Sequence, residues 1–243
     1  MTAGEQGAAA PGRDAVTDIV TDIEGTTTSI AFVKDVLFPF ARKHLTAFVG
    51  AHADDPEVRA CLDAARAVAG DPGLSAEGVT ALFLQWIDED RKVTPLKTLQ
   101  GRIWADGYAT GELTSHVYDD AAEYLGRWRA AGHRLFVFSS GSIAAQKLLF
   151  GHTSRGDLTP LFSGWFDTTT GPKLEHSSYS KITEAIGRAP RDVLFLSDHT
   201  GELDAAAAAG MRTACLDRGE VVIPPDTPHR RYGSFAEIDP EHA

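Results

Sequence analysis

At 243 residues, with 43% hydrophobic and 23% charged side chains, the chain is composed like a globular protein and has room for one large domain or two small ones. A formal net charge of −11 argues against nucleic acid as a partner, and no run of about 18 apolar residues offers a membrane span. The two cysteines, Cys61 and Cys215, lie far apart in apolar surroundings, so they read as buried thiols in a reducing, cytoplasmic setting rather than as a disulfide.

The opening stretch MTAGEQGAAAPGRDA lacks a basic region followed by an apolar run, and residues 1–14 read as a flexible tail rather than a secretion signal. The first predicted strand is AVTDIVTDI, Ala15 to Ile23, which runs directly into EGTTTS. The pattern then turns helical for about one hundred residues. In PEVRACLDAARAVAG, Val58, Leu62, Ala65 and Val68 share a face at helical spacing. Val79, Leu82, Phe83, Trp86 and Ile87 repeat the pattern, and Leu96, Leu99, Ile103 and Trp104 form a third stripe, expected to end at Gly107. Strand patterns return after YDDAAEYLGRWRAAGH with RLFVFSS, then the helix SIAAQKLLF and the run GWFDTTTGPK. The helix SYSKITEAIG leads into the strand RDVLFLSD, and the helix GELDAAAAAG into the strand RTACL. Short apolar strands alternating with helices predict an α/β fold with a parallel sheet covered on both faces. The expected division is an α/β core of residues 15–30 and 118–243, interrupted by an all-helical cap at 31–117 that is placed to act as a lid.

The polar clusters all follow strands. In an open α/β sheet ligands bind beyond the carboxyl ends of the strands, so residues distant in sequence are expected to meet on one rim. Asp22 and Glu24 end the first strand, Ser139 and Ser140 the second, and Asp198 the strand DVLFLSD. Asp22 and Glu24 admit two readings, a nucleophile with a proton-handling partner or a polar turn whose hydroxyls satisfy the backbone. Asp22 with Asp198 makes an oxygen-rich pair suited to Mg2+, with substrate phosphate completing the shell. Glu202 either holds a metal-bound water or simply begins a helix, where a carboxylate favours the dipole. Ser139 and Ser140, at a helix N-terminus, suit an anion, while Ser142 or Ser140 could equally cap the helix. Lys173 is open to a role on phosphate or on an attacking carboxylate, against that of a solvated surface cation. His199 reads as a rim or cap residue. The dipeptide spacings of a nucleophile elbow, a P-loop, a dinucleotide fingerprint and a zinc site are all missing.

Together these stretches resemble the haloacid dehalogenase superfamily: Asp22-x-Glu24-Gly25-Thr26-Thr27, a serine at the second strand end, a following lysine, and Asp198. More closely, DIEGTTTSIAFVKDVLFPFAR, DEDRKVTPLKTLQGRIWADGY, FSSGSIAAQKLLFGHTSRGDLTPLFSGWFDT and LFLSDHTGELDAA are similar to the enolase-phosphatase E1 (acireductone synthase) family of methionine salvage. The likeness runs from about residue 16 to about 240. It implies a Mg2+-dependent, cytoplasmic, monomeric enzyme that enolises and dephosphorylates a small phosphorylated diketone, 2,3-diketo-5-methylthiopentyl-1-phosphate. By motif, Asp22 is the implied nucleophile and a metal ligand. Glu24 is the implied acid/base group with a metal contact. Ser139 and Ser140 bind phosphate, Lys173 supports it, and Asp198 completes the metal site. Thr21, Pro172 and His199 depart from the commoner superfamily pattern, and none of them removes a catalytic group. Two rival functions are a general sugar-phosphate or nucleotide phosphatase without the enolase step, and a non-catalytic phosphate-binding module. The stretches QGRIWADGY and SIAFVKDVLF are where contacts to the thioether end are expected.

Overall fold

The computed structural model describes residues 16–243, so the expected tail at 1–14 lies outside the described residues. Among the described residues one six-stranded sheet forms, in the order β3-β2-β1-β4-β5-β6, with every pairing parallel. Its strands are β1 (Asp18–Thr21), β2 (Arg134–Phe138), β3 (Phe162–Phe166), β4 (Val193–Ser197), β5 (Arg212–Leu216) and β6 (Arg231–Tyr232). Between β1 and β2 lie α1 (Ile30–Phe32), α2 (Phe38–Ala51), α3 (Pro56–Ala69), α4 (Ala76–Asp88), α5 (Thr94–Ala109) and α6 (Asp119–Ala130). The helices α7 (Ile143–Gly151), α8 (His176–Ile186) and α9 (Thr200–Ala208) alternate with the later strands.

The centre of the sheet is nearly continuous hydrocarbon, because a parallel strand with helices on both sides has no solvent face. Ile19 and Val20 are both fully buried yet belong to different clusters. Ile19 packs with Leu125, Trp128 and Leu135 on one face, and Val20 with Tyr179, Ile182 and Phe195 on the other. Each such leucine, isoleucine or phenylalanine contributes about 1.5–3 kcal/mol by leaving water. Strand β1 carries an aspartate at its first residue and another just beyond its last. Asp18, fully buried, is paired with Arg134 and Arg188 at the amino end of the sheet. Asp22 lies at the opposite, carboxyl end, where loops leave the sheet.

The helices α2 to α5 enclose a separate hydrophobic cluster that includes Leu45, Leu62, Phe83, Trp86, Leu99 and Ile103. They form an all-helical cap inserted into the parallel-sheet core between β1 and β2. Val58, Leu62 and Ala65 are buried as the spacing predicts, but Val68 is half exposed in the last turn of α3. Gly107 does not end its helix either. Helix α5 continues to Ala109, and a Cβ at Gly107 would collide with the Phe40 ring, so the glycine marks close helix packing. The chain enters the cap through α1, a π-helical turn at Val33–Leu37, and α2, which follow one another without a break. Cys61 and Cys215 are free and buried. Among the described residues no helix is long and apolar enough to cross a membrane.

Candidate active site

Register fixes the site. Thr21 pairs with Val137 on one side and Leu196 on the other, so the residues after β1, β2 and β4 emerge at one level. Asp22, Ser139 and Asp198 all emerge there, and all are more than nine-tenths buried. Lys173 reaches the same point from the loop after β3. Its Nζ donates to Asp22 Oδ1 at 2.6 Å and lies 2.7 Å from Glu202 Oε2. The loop is pinned by the Tyr179 hydroxyl, which donates to the Lys173 carbonyl at 2.8 Å, and by Ser178 Oγ, which donates to the Pro172 carbonyl at 2.7 Å. Pro172 therefore anchors the approach of Lys173 to Asp22. Glu202 stands in the first turn of α9, but its carboxylate faces inward, taking a further hydrogen bond from Ser197 Oγ at 3.1 Å.

The turn after β1 has the hydrogen bonding of a polar turn. The N–H groups of Thr26, Thr27 and Thr28 all donate to the Ile23 carbonyl, and Thr27 Oγ1 donates to the carbonyls of Asp22 and Ile23. This polar turn is also what aims the carboxylates. Because β1 stops at Thr21, Asp22 and Glu24 sit in the turn rather than on one strand face. Asp22 points to Lys173, whereas Glu24 opens onto the cleft. Gly25 has φ +71°, and a side chain there would run into the Asp198 carboxylate, so the glycine allows that acid to lie against the turn. Asp198 is held further by its N–H, which donates to Thr26 Oγ1 at 3.1 Å.

The electrostatics are those of an acid-rich pocket with one buried ammonium. Burial, followed by the charge of Asp22, pushes the Asp198 carboxyl up to about 7. The same two causes push Glu202 up to about 7 against the pull of Lys173. Glu24 is also raised, by the crowding walls of the cleft and then by Asp22, although its surface remains open to solvent. For Lys173, burial works to lower its pKa but is overcome by Asp22 and Glu202, so the ammonium is held charged. Around that ammonium stand the carboxylates of Asp22, Glu202, Asp198 and Glu24, so negative charge is in excess at the rim. Among the described residues no three histidine, cysteine, aspartate or glutamate side chains group to hold a metal by themselves. The neighbouring donors are the carboxylates of Asp22 and Asp198. That hard, incomplete oxygen set fits Mg2+, which keeps several waters and takes substrate phosphate oxygens.

The turn after β2 lies beside the N-terminus of α7. Ser139 Oγ accepts from the Gly141 N–H at 3.2 Å, and Ser142, not Ser140, caps α7 through the Ala145 N–H at 3.3 Å. Ser139 and Ser140 are thereby left beside the helix N-terminus with Ser140 partly open. Asp167, at the end of β3, accepts from the Ile143 N–H at 3.2 Å and fixes that end of α7. Burial works to raise its carboxyl, but the hydrogen bonds from Thr169 and Ile143 hold it below the ordinary range. His199 is an exposed residue at the N-cap position of α9, as a rim residue should be.

Above the rim, a cleft of about 150 Å³ runs between core and cap. Ile23, Glu24, Ser139 and Ser140 floor it, while Val33, Leu37, Phe38, Trp104 and Leu149 make an apolar arm. Trp104 is fixed by its Nε1–H, which donates to the Leu37 carbonyl at 2.9 Å, and by stacking on Phe38 with centroids 6.4 Å apart. Both predicted thioether-contact stretches contribute to this arm. Lys97, on α5, crosses the cleft and donates to the Ser140 carbonyl at 2.8 Å. Sequence reading missed Lys97, Asp167 and the hold of Thr26 on Asp198. Only Thr26 left a signal, as part of the run of threonines after Gly25.

A family model for haloacid dehalogenase-like hydrolases matches residues 19–210. The chain is 58% identical over 220 residues to the enolase-phosphatase E1 of Pseudomonas aeruginosa strain UCBPP-PA14, covering 90% of this chain and 96% of that one. It is 55% identical over 222 residues to the protein of that name from Pseudomonas syringae pv. syringae strain B728a, covering 91% and 96%. Among solved structures, the UTR4 protein of Saccharomyces cerevisiae is similar over 92% of this chain and all of its own, at 35% identity and a TM-score of 0.78.

Proposed function

The chain belongs to the enolase-phosphatase E1 family of the haloacid dehalogenase-like hydrolases, and from that membership and the rim geometry we propose that it converts 2,3-diketo-5-methylthiopentyl-1-phosphate to acireductone (1,2-dihydroxy-3-keto-5-methylthiopentene) and phosphate. The observation that carries the phosphatase half is the buried ammonium of Lys173 between Asp22 and Glu202, beside Asp198 and the Ser139 turn.

In the proposed reaction the first step moves a proton from the carbon beside a carbonyl to that carbonyl oxygen, forming the enol. Glu24, open to the cleft, is one candidate for handling it. Ser139, Ser140 and Lys173 hold the phosphate. Asp22 then attacks phosphorus through a carboxylate oxygen, and the bond from phosphorus to the ester oxygen on C1 breaks. Glu24 gives the departing oxygen its proton. It next takes one from water, which attacks phosphorus and frees phosphate and Asp22. Asp22, Asp198 and Glu24, through its backbone carbonyl, would hold Mg2+, which would supply positive charge against the phosphate oxygens and the developing oxyanion. The apolar arm at Phe38 and Trp104 suits a methylthio tail. The same reading makes the protein a cytoplasmic monomer, which gel filtration tests.

Incubation with the diketone phosphate tests the activity itself. The expected result is a transient enol absorbance followed by acireductone and one phosphate released. Phosphate release with no enol or acireductone would leave a plain phosphatase, and persistent binding without turnover a phosphate-binding module. Chelating divalent cations should abolish turnover and added Mg2+ restore it. Unchanged metal-free turnover would remove the metal from the reading.

A further inference from the structure

Arg218, on the loop after β5, has no part in the reaction described above, yet its side chain is only 7% exposed. Nε and Nη2 both donate to the Thr26 carbonyl, at 3.3 and 3.1 Å. Nη1 donates to Asp120 Oδ2 at 2.9 Å and to the Gly233 carbonyl at 3.4 Å. The guanidinium lies over the Tyr118 ring at 4.3 Å and the Phe235 ring at 5.3 Å. Asp120 is itself fixed, since its Oδ2 also accepts from the Phe235 N–H at 2.8 Å. The planar fork is thus held from several sides, with two of its N–H groups aimed at one peptide oxygen.

That peptide belongs to the nucleophile turn. Thr26 is fully buried, and its hydroxyl accepts the Asp198 N–H at 3.1 Å. The neighbouring Gly25 is where the Asp198 carboxylate rests. One residue is therefore gripped by Arg218 at its carbonyl and grips Asp198 with its side chain. Burying a guanidinium has a desolvation cost, and an apolar side chain could staple these segments more cheaply. A charged, forked donor earns its place by stiffness, because two charge-assisted hydrogen bonds fix both the position and the plane of the Thr26 peptide.

We propose that Arg218 is a positioning residue for the divalent-metal site, acting through Thr26 to set Asp198 against Asp22. The proposal rests on the reading of Asp22 and Asp198 as the Mg2+ carboxylates. Partners that orient metal ligands from behind typically change metal affinity by about 10–100-fold when removed.

Calorimetric titration of the full chain with MgCl2, without substrate, tests it. Arg218→Lys keeps a cation for Asp120 but loses the fork on Thr26, and should weaken Mg2+ binding by roughly tenfold. Thr26→Val, which removes the acceptor for the Asp198 N–H, should weaken it to a similar degree. Thr26→Ser restores the hydroxyl and should restore the affinity. Each variant is compared with the parent by circular dichroism in metal-free buffer, so that a loss of fold is seen separately. Parental Mg2+ affinity in a folded Arg218→Lys and a folded Thr26→Val would overturn the proposal. Should Arg218→Lys fail to fold, the Thr26 pair decides in the same way. A parent that takes up no Mg2+ overturns the metal reading itself, and the positioning role with it.

Discussion

The two walls of the cleft are built differently. On the core side, Asp22, Lys173 and Glu202 hold one another in a buried chain of contacts anchored by Ser197 and Tyr179. On the cap side, Lys97 reaches over to the Ser140 carbonyl, and the lining mixes apolar side chains such as Phe38, Trp86 and Trp104 with the charged Lys34, Asp90, Arg91 and Lys92. Groups that form and break bonds need positions fixed by a rigid scaffold, which strand ends provide. A wall that must admit and release substrate is better made of surfaces that part at small cost. The cap has a hydrophobic cluster of its own, joined to that of the sheet where Phe40 and Trp104 pack against both.

Asp22→Asn should give the largest effect. The substitution keeps size and leaves Glu202 to accept Lys173, so the fold survives, but the attacking oxygen is lost. Phosphate release should fall by roughly three orders of magnitude or more. Rapid quenching of the parent followed by peptide mass analysis should find phosphate on Asp22. Near-normal phosphate release by folded Asp22→Asn, with no adduct in the parent, would move the chemistry off the core wall.

A pair of cavity variants addresses the independence of the two regions. Leu194 on β4 and Leu99 on α5 are both fully buried, one in the sheet cluster and one in the cap cluster. Each change to alanine should cost about 2–5 kcal/mol. Calorimetric melting should nevertheless distinguish them. Leu99→Ala is expected to split the transition, with the cap melting first, while Leu194→Ala lowers the main transition. A single, equally shifted transition for both would mean that cap and core unfold as one unit.

What could be read from the sequence follows the same division. Asp22, Ser139 and Asp198 follow short apolar strands, and parallel register alone brings such residues to one rim. The orientation of Glu202 was open, because a helix-start acid and a site acid look alike until Lys173 and Ser197 are seen beside it. Val68 lies in phase with Val58, Leu62 and Ala65, yet in the last turn of α3 it is half exposed, which spacing alone does not reveal. Gly107 looked like a stop signal because glycine at a close helix crossing and glycine at a helix end share one letter. Lys97 and Arg218 left no pattern at all. Their partners are 43 and 192 residues away, and a lysine beside an apolar stripe or an arginine after a strand resembles ordinary surface.

Lys97 gives the smallest predicted effect and bears most directly on the contrast between the walls. Its ammonium is half-buried and meets only the Ser140 carbonyl among the hydrogen bonds across the cleft near the anion turn. If the cap wall serves to close over substrate, this bond should help hold the closed arrangement and leave the chemical step alone. Lys97→Met keeps the aliphatic stem against the cleft and removes the charge-assisted donor. A hydrogen bond of this kind, partly open to water, is worth about 1 kcal/mol, which corresponds to roughly a fivefold change in an equilibrium constant. The expected result is a KM raised by about fivefold with kcat nearly unchanged, since interactions made equally in ground and transition states appear in KM. Steady-state kinetics on the diketone phosphate measures both constants. A kcat lowered in step with kcat/KM, with KM held, would place Lys97 among the groups engaged only in the transition state, and the cap wall would then share in the chemistry it is here argued to enclose.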